Sequence, residues 1–459
     1  MKFKWFRKSD GAPTKTAAVF FGGFACDERL FEALELPNID VCLVYDYRDA
    51  TFEADFSPYA EVYVAAWSFG VKVADVVCAD MPNVKIRTAI CGTPTPVDAG
   101  RGIPPEIFDA TLSGFNAQTF KKFLRRICGD TPENAEFMCS RAPEECAEEL
   151  RFLAEFSAAN PAPKSRWDYA FGCVSDRIFP VSALEKSFEN VSLWEGAHLN
   201  PKLFSYALSI PHTGGRFSDA FKRAASRYNK RSVVQKNVAL FLREKLCALF
   251  PERRFNRAFE FGCGTGFLSA QIKNHVDCRE FVLNDLSLGL CSEAAQSLGG
   301  SYCAGPVAEI AITGKPDLIL SASSLQWIPD RPQLYKKLHK AAANGAVIAL
   351  GSFGPKNFAE FAKFGYAPAA YDSFDEFCSQ VSEAGFKIIL SGDDKFSFLF
   401  KSPAEVLRHV RDTGVNGATS EFWTPQRMRS FSGAYSALFS DYGGVRLTYN
   451  PMYIIAVKE

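Results

Sequence analysis

Val62-Tyr63-Val64-Ala65-Ala66-Trp67-Ser68-Phe69-Gly70 and Ala258-Phe259-Glu260-Phe261-Gly262-Cys263-Gly264-Thr265-Gly266 are two apolar strands that each run into a tight turn. The first turn presents a serine. The second presents glycines at alternate positions, which let the backbone pass close to a ligand. Around each, short β-rich runs alternate with helical or irregular segments, the signature of a parallel sheet flanked by helices. Residues 17–21, 41–45, 62–65, 88–91 and 167–173 are the runs of the first series; residues 258–261, 280–285, 318–321 and 346–350 are those of the second.

A chain of 459 residues is long for one hydrophobic core, so an α/β architecture of two domains is expected. Ser209-Ile210-Pro211-His212-Thr213-Gly214-Gly215-Arg216 breaks the periodicity between the two series, which sets the domains at residues 1–211 and 217–459. A helix-rich insertion, about residues 108–156, interrupts the first series and is expected to form a lid over that domain's site. Apolar residues make up 47% and charged residues 23%, with no run long enough to span a bilayer and no secretory leader. A cytoplasmic protein with no membrane partner is expected. The fourteen cysteines include no C-x-x-C pair, which argues for buried thiols and no metal.

The formal charge is zero, but residues 1–211 carry 22 basic and 29 acidic side chains, and the remainder 30 and 23. Only the second half is built to meet an anionic partner. Its basic stretch at residues 216–236 (Arg216, Lys222, Arg223, Arg227, Lys230, Arg231, Lys236) is the candidate surface for such a partner; the first half, acidic as a whole, has a smaller basic cluster of Lys121, Lys122, Arg125 and Arg126, and no nucleic acid is expected.

A serine between a strand and a helix stands at the carboxyl edge of the sheet, with the helix N-terminus behind it to favour a developing oxyanion. His198 is the one clear candidate base before the boundary, and it follows the last predicted strand. Asp176, in the turn after residues 167–173, completes the order nucleophile, acid, base. Two N–H groups would bind the oxyanion: Phe69, after the nucleophile, and one from Phe21-Gly22-Gly23-Phe24-Ala25-Cys26-Asp27, placed on Phe24 with Gly23 as the alternative. That loop, the elbow Ala66-Trp67-Ser68-Phe69-Gly70-Val71 and the turn Gly172-Cys173-Val174-Ser175-Asp176-Arg177-Ile178-Phe179-Pro180 resemble the BioG family, esterases that cleave pimeloyl-[acyl-carrier-protein] methyl ester. The departures are Ala66 in place of glycine and Phe24 in place of the more usual tryptophan. The resemblance implies an α/β-hydrolase with a helical lid, its nucleophile, acid and base on Ser68, Asp176 and His198.

The spacing G-x-G-x-G over Gly262, Gly264 and Gly266 resembles the first motif of class I S-adenosylmethionine methyltransferases, which are Rossmann-like; Glu260 would then face the cofactor's amino group. Asp285, 19 residues past Gly266 at the end of the next strand, is placed to accept the ribose hydroxyls. Residues 221–235, 317–327 and 407–416, above all Ser323-Ser324-Leu325-Gln326-Trp327 and Thr413-Gly414-Val415-Asn416, resemble the BioC family of malonyl-[acyl-carrier-protein] O-methyltransferases. The loop at residues 302–309 lacks that family's Gly-Asp pair, leaving the adenine amine to a backbone group or Glu309. Tyr228, Gln326, Trp327 and Arg408 are the expected substrate-side residues, with Arg408 orienting the carboxylate.

The two resemblances imply a bifunctional enzyme of biotin synthesis, acting on acyl carrier protein that bears malonyl or the pimeloyl methyl ester. The alternatives are a serine hydrolase fused to a small-molecule carboxyl methyltransferase, and a methyltransferase whose hydrolase-like half is a non-catalytic scaffold.

Overall fold

Every residue of the run Asp40–Tyr45 is buried, as expected of a strand covered on both faces of a parallel sheet. A computed structural model describes residues 1–6, 15–137, 139–213, 232–365, 371–412 and 424–459. The chain divides into two compact units, Met1–Gly215 with Glu309–Ala311, and Arg216–Ala308 with Ile312–Glu459.

The first unit holds a sheet of β1 (Lys2–Phe6), β2 (Thr16–Phe21), β3 (Asp40–Tyr45), β4 (Glu61–Trp67), β5 (Val84–Ile90), β6 (Tyr169–Cys173) and β7 (Ser192–Trp194), in the order β1-β3-β2-β4-β5-β6-β7. Only β1 runs antiparallel, against β3. Helix α1 (Gly70–Val77) follows β4. Between β5 and β6 lie α2 (Pro105–Ser113), α3 (Ala117–Cys128) and α4 (Pro143–Ala159). Proline in the first turn starts α2 and α4, and Asn116 and Thr119 close a capping box at the start of α3. Along α3, Phe120 and Ile127 are buried while Lys121, Lys122, Arg125 and Arg126 are exposed, so the helix turns an apolar stripe inward and cations outward. Within the break expected over residues 209–216, a helix still runs Pro201–Thr213 through Pro211, and the division between the two units falls at Gly215 and Arg216. Pro211 falls in the last turn, where it removes one i→i−4 hydrogen bond with only two helical residues still to follow, and both it and Ile210 are buried.

The second unit holds β8 (Phe255–Phe261), β9 (Cys278–Asp285), β10 (Ser301–Ala304), β11 (Leu318–Ala322), β12 (Val347–Phe353) and β13 (Phe386–Asp393). A three-stranded antiparallel sheet follows, from β14 (Phe396–Phe400), β15 (Ser440–Asp441) and β16 (Gly444–Tyr449), and β17 (Pro451–Lys458) returns to the large sheet. The large sheet has the order β10-β9-β8-β11-β12-β17-β13, with β17 antiparallel to both its neighbours. Strand order reverses between β8 and β11, the switch point where doubly wound sheets hold ligands. The small sheet has its own core, in which the rings of Phe431, Tyr435, Phe439, Tyr449, Phe358 and Phe361 pack with Leu447. Among the described residues no helix is long and apolar enough to cross a membrane.

Candidate active sites

At the end of β4 the chain turns on Ser68, whose φ of 59° is left-handed and is imposed on a residue with a β-carbon only by its surroundings. The Ser68 N–H donates to Ile90 O at 3.0 Å, and Val71 N–H donates back to Ser68 O at 3.1 Å. Ser68 Oγ lies 3.0 Å from His198 Nε2, and His198 Nδ1 lies 2.8 Å from Asp176 Oδ2. The second oxygen of Asp176 accepts the N–H groups of Ile178 and Phe179, at 2.7 and 3.0 Å, which locks the carboxylate toward the imidazole. The Trp67 indole donates to His198 O at 3.0 Å, and Phe179 stacks on the imidazole ring. Serine, imidazole and carboxylate are all buried, and together they can deprotonate a hydroxyl nucleophile.

The loop at residues 22–27 abuts the serine: a β-carbon on Gly23 would sit 3.0 Å from Ser68 Cβ, so only glycine allows the approach. The N–H groups of Gly23, Phe24 and Phe69 donate to no acceptor among the described residues. The rings of Phe24 and Phe69 meet the insertion, Phe24 against Phe115 and Phe123, and Phe69 against Phe108. Cys91 also offers its sulfur within 4.8 Å of ligand atoms of Asp176 and His198, but those two already bind one another. A hydrogen bond with Cys173, then burial, push the Cys91 thiol well up, so it stays protonated. Cys91 is one of the buried thiols expected from the sequence, whereas the buried Glu149 of α4 is not singled out there.

In the second unit, Gly262, Gly264 and Gly266 all adopt positive φ after β8. A β-carbon at Gly262 would lie 2.3 Å from Ser324 Cβ, whereas one at Gly264 would meet nothing within 4 Å. Gly264 N–H donates to Asp285 Oδ2 at 2.8 Å, and Ser287 N–H to Asp285 Oδ1 at 2.8 Å, so the acid at the end of β9 braces the glycine turn. Glu260 is buried, and its carboxylate accepts the N–H of Ser269 at 2.9 Å and the Ser269 hydroxyl. Burial, opposed by Ser269 and reinforced by Asp285, pushes the Glu260 carboxyl up to about 8. Burial likewise raises Asp285.

After β11, Ser323 is left-handed at φ 63° and Gln326 Nε2 donates to Ser323 O at 2.7 Å. Gln326 Oε1 and Ser323 Oγ are buried with no partner among the described residues, beside the glycine turn that Ser324 touches. Such orphaned atoms fit a polar ligand at the switch point. Trp327 is 45% exposed. Arg408 is exposed on the helix Pro403–Asp412, with no hydrogen bond or ion pair to another described residue. Glu309 groups with the first unit. Tyr228, the Thr413–Asn416 string and all but Lys236 of the seven cations at residues 216–236 lie outside the described residues.

A serine–histidine–aspartate chain on a mostly parallel sheet, and a glycine turn with an acid at the next strand end, define an α/β-hydrolase half and a class I methyltransferase half. Residues 1–205 match the family described as Pimeloyl-ACP methyl esterase BioG, and residues 259–348 match the family described as Methyltransferase domain. The Malonyl-[acyl-carrier protein] O-methyltransferase of Bacteroides fragilis is 33% identical over 468 residues, covering 97% of this chain and 93% of that protein. The protein of the same description from Chlorobium phaeovibrioides is 31% identical, over 52% of this chain and 94% of its own. BioG from Haemophilus influenzae, a crystal structure, is 31% identical with a TM-score of 0.42, over 45% of this chain and 97% of that chain. The chain belongs to the family of the Bacteroides fragilis protein, and it is a bifunctional enzyme with an esterase half and a methyltransferase half.

Proposed function

We propose that the second unit transfers a methyl group from S-adenosylmethionine to the free carboxylate of malonyl-[acyl-carrier protein], and that the first hydrolyses pimeloyl-[acyl-carrier protein] methyl ester, both in the cytosol. The observation that carries the reading is the Ser68–His198–Asp176 chain at 3.0 and 2.8 Å inside a BioG-type half of a methyltransferase relative. In the esterase, Ser68 Oγ attacks the ester carbonyl as His198 Nε2 takes its proton. Asp176 holds the ring and offsets its charge. The N–H groups of Phe69 and Phe24 receive the oxyanion, methanol leaves with the proton from His198, and water releases the acid by the same steps.

In the methyltransferase, S-adenosylmethionine supplies an electrophilic methyl group. Asp285 would hold its ribose, Glu260 and the turn at Gly262, Gly264 and Gly266 would lie against its amino acid part, and a backbone group would meet the adenine amine. The malonyl carboxylate is ionised near neutral pH and needs no base. Gln326, Trp327, Tyr228 and Arg408 would orient it. The methyl ester masks malonate's charge, and the esterase removes the mask later from a longer chain. The exposed cations of α3 are offered as the esterase's surface for the acidic carrier protein, as is the basic stretch at residues 216–236 for the methyltransferase.

The test assays the full chain with both carrier-protein substrates. Ser68→Ala should lose at least ~10⁴-fold of ester hydrolysis and keep methyl transfer. Residual hydrolysis above a few per cent, or methylation of small free acids as fast as of malonyl-carrier protein, would refute the proposal.

A further inference from the structure

The loop at residues 22–27, whose Phe24 N–H is the proposed oxyanion donor, is held in shape largely by groups elsewhere in the chain. Ala25 sits at φ 62°, a left-handed conformation that an alanine keeps only when its surroundings impose it. Its N–H donates to Glu149 Oε2 at 3.1 Å, from a carboxylate 124 positions later in the chain. Glu149 lies on α4, is fully buried, and its other oxygen accepts Tyr47 N–H at 3.0 Å. Arg141 donates to Glu149 Oε2 at 2.9 Å and to Cys26 O at 3.4 Å. The Ser140 hydroxyl donates to Asp27 Oδ2 at 2.8 Å, and the Tyr47 hydroxyl to Gly22 O at 2.7 Å. The loop is thus pinned at Gly22, Ala25, Cys26 and Asp27, on both sides of Phe24, whose own N–H is left for a ligand.

We infer that Glu149 is a positioning residue of the esterase, its carboxylate fixing the left-handed Ala25 and so aiming the Phe24 N–H at the oxyanion. The inference rests on the reading of Ser68 as nucleophile. A carboxylate can serve both backbone donors because each oxygen accepts one. An amide has a single acceptor oxygen, so a glutamine must turn its NH₂ toward the N–H of either Ala25 or Tyr47. The insertion therefore does more than cover the site: α4 carries the group that sets the oxyanion loop.

The experiment is Glu149→Gln in the full chain, assayed on pimeloyl-carrier protein methyl ester. We expect kcat to fall about 10- to 100-fold, less than outright loss of an oxyanion donor costs, with KM held within about twofold. Affinity for a trifluoromethyl ketone that forms a hemiketal oxyanion on Ser68 should fall by the same factor, while affinity for the product acid stays unchanged. The substitution leaves Arg141 buried opposite an amide, which can unfold the region, so Glu149→Gln with Arg141→Met removes both charges together and should show the same kcat loss. Unchanged kcat in a folded variant, or equal losses in oxyanion and product affinity, would overturn the inference alone. A wild-type enzyme that hydrolyses no ester and leaves Ser68 unlabelled by a fluorophosphonate would overturn the esterase reading beneath it.

Discussion

Glu260→Gln should change how the second unit's stability depends on pH. The wild-type carboxyl is buried at the end of β8 and is pushed up to about 8, against roughly 4.3 for an unperturbed glutamate. Between those values the folded state binds a proton that the unfolded state has released. The stability this group contributes is therefore fully present below pH ~4.3 and lost as pH rises through about 8. At ~1.4 kcal/mol per unit, the whole window is worth about 5 kcal/mol. Glutamine is neutral throughout and can still accept the Ser269 N–H. The variant should match wild type near pH 4 and exceed it by several kcal/mol at pH 9. A two-unit chain need not unfold in one step, so the assay is hydrogen exchange at the β8 amides across that range. Parallel pH profiles for the two proteins would refute the reasoning, because they would mean that Glu260 is ionised in the fold at neutral pH. If S-adenosylmethionine places its ammonium near this carboxylate, its affinity should also climb with pH up to about 8.

Asp285→Ala should weaken S-adenosylmethionine binding by about 1.5–3 kcal/mol, the range for hydrogen bonds to a charged group, and it also frees Gly264 N–H; calorimetry with unchanged affinity would move the ribose partner elsewhere. Reversing Lys121, Lys122, Arg125 and Arg126 to glutamate should raise KM for the carrier-protein ester several-fold at low salt, with the gap closing as salt rises, and spare a small soluble ester. An equal effect on both esters would show damage to α3 itself.

The two candidate sites are legible in the sequence because their signals are local or ordered. Ser68, Asp176 and His198 follow from a strand-end turn, a second strand-end turn and a scarce histidine, and the structure brings the three together. The glycine spacing of residues 262–266 needed no partner to be read. What escaped depends on distant parts of the chain. β1 has little but its alternation of Lys2, Phe3, Lys4 and Trp5, and only the register against β3 makes it a strand. Pro211 reads as a break because its missing donor is a local fact, whereas the helix around it is held by burial. Glu149 looks like any glutamate in an acidic helix until Ala25 and Tyr47 supply its partners. The Phe396–Phe400 run alternates as a strand should, yet nothing in it names the separate three-stranded sheet it joins.

The placement of β17 bears on how the chain is made. All seven strands of the first sheet have been synthesised by Trp194, so that sheet can close while the ribosome is still building the rest. The second sheet waits, because β17, at Pro451–Lys458, fills the slot between β12 and β13. At roughly 5–20 residues per second, translation takes on the order of ten seconds or more to run from β8 to β17. From the completion of β12 at Phe353 until β17 emerges, roughly 100 residues or about 5–20 s of that interval, β12 has no partner on one side, a bare edge that can pair with another chain. Translation that stops short of residue 451 would leave a finished esterase sheet tethered to an aggregation-prone remnant, so the nascent methyltransferase half is where this polypeptide most needs a chaperone.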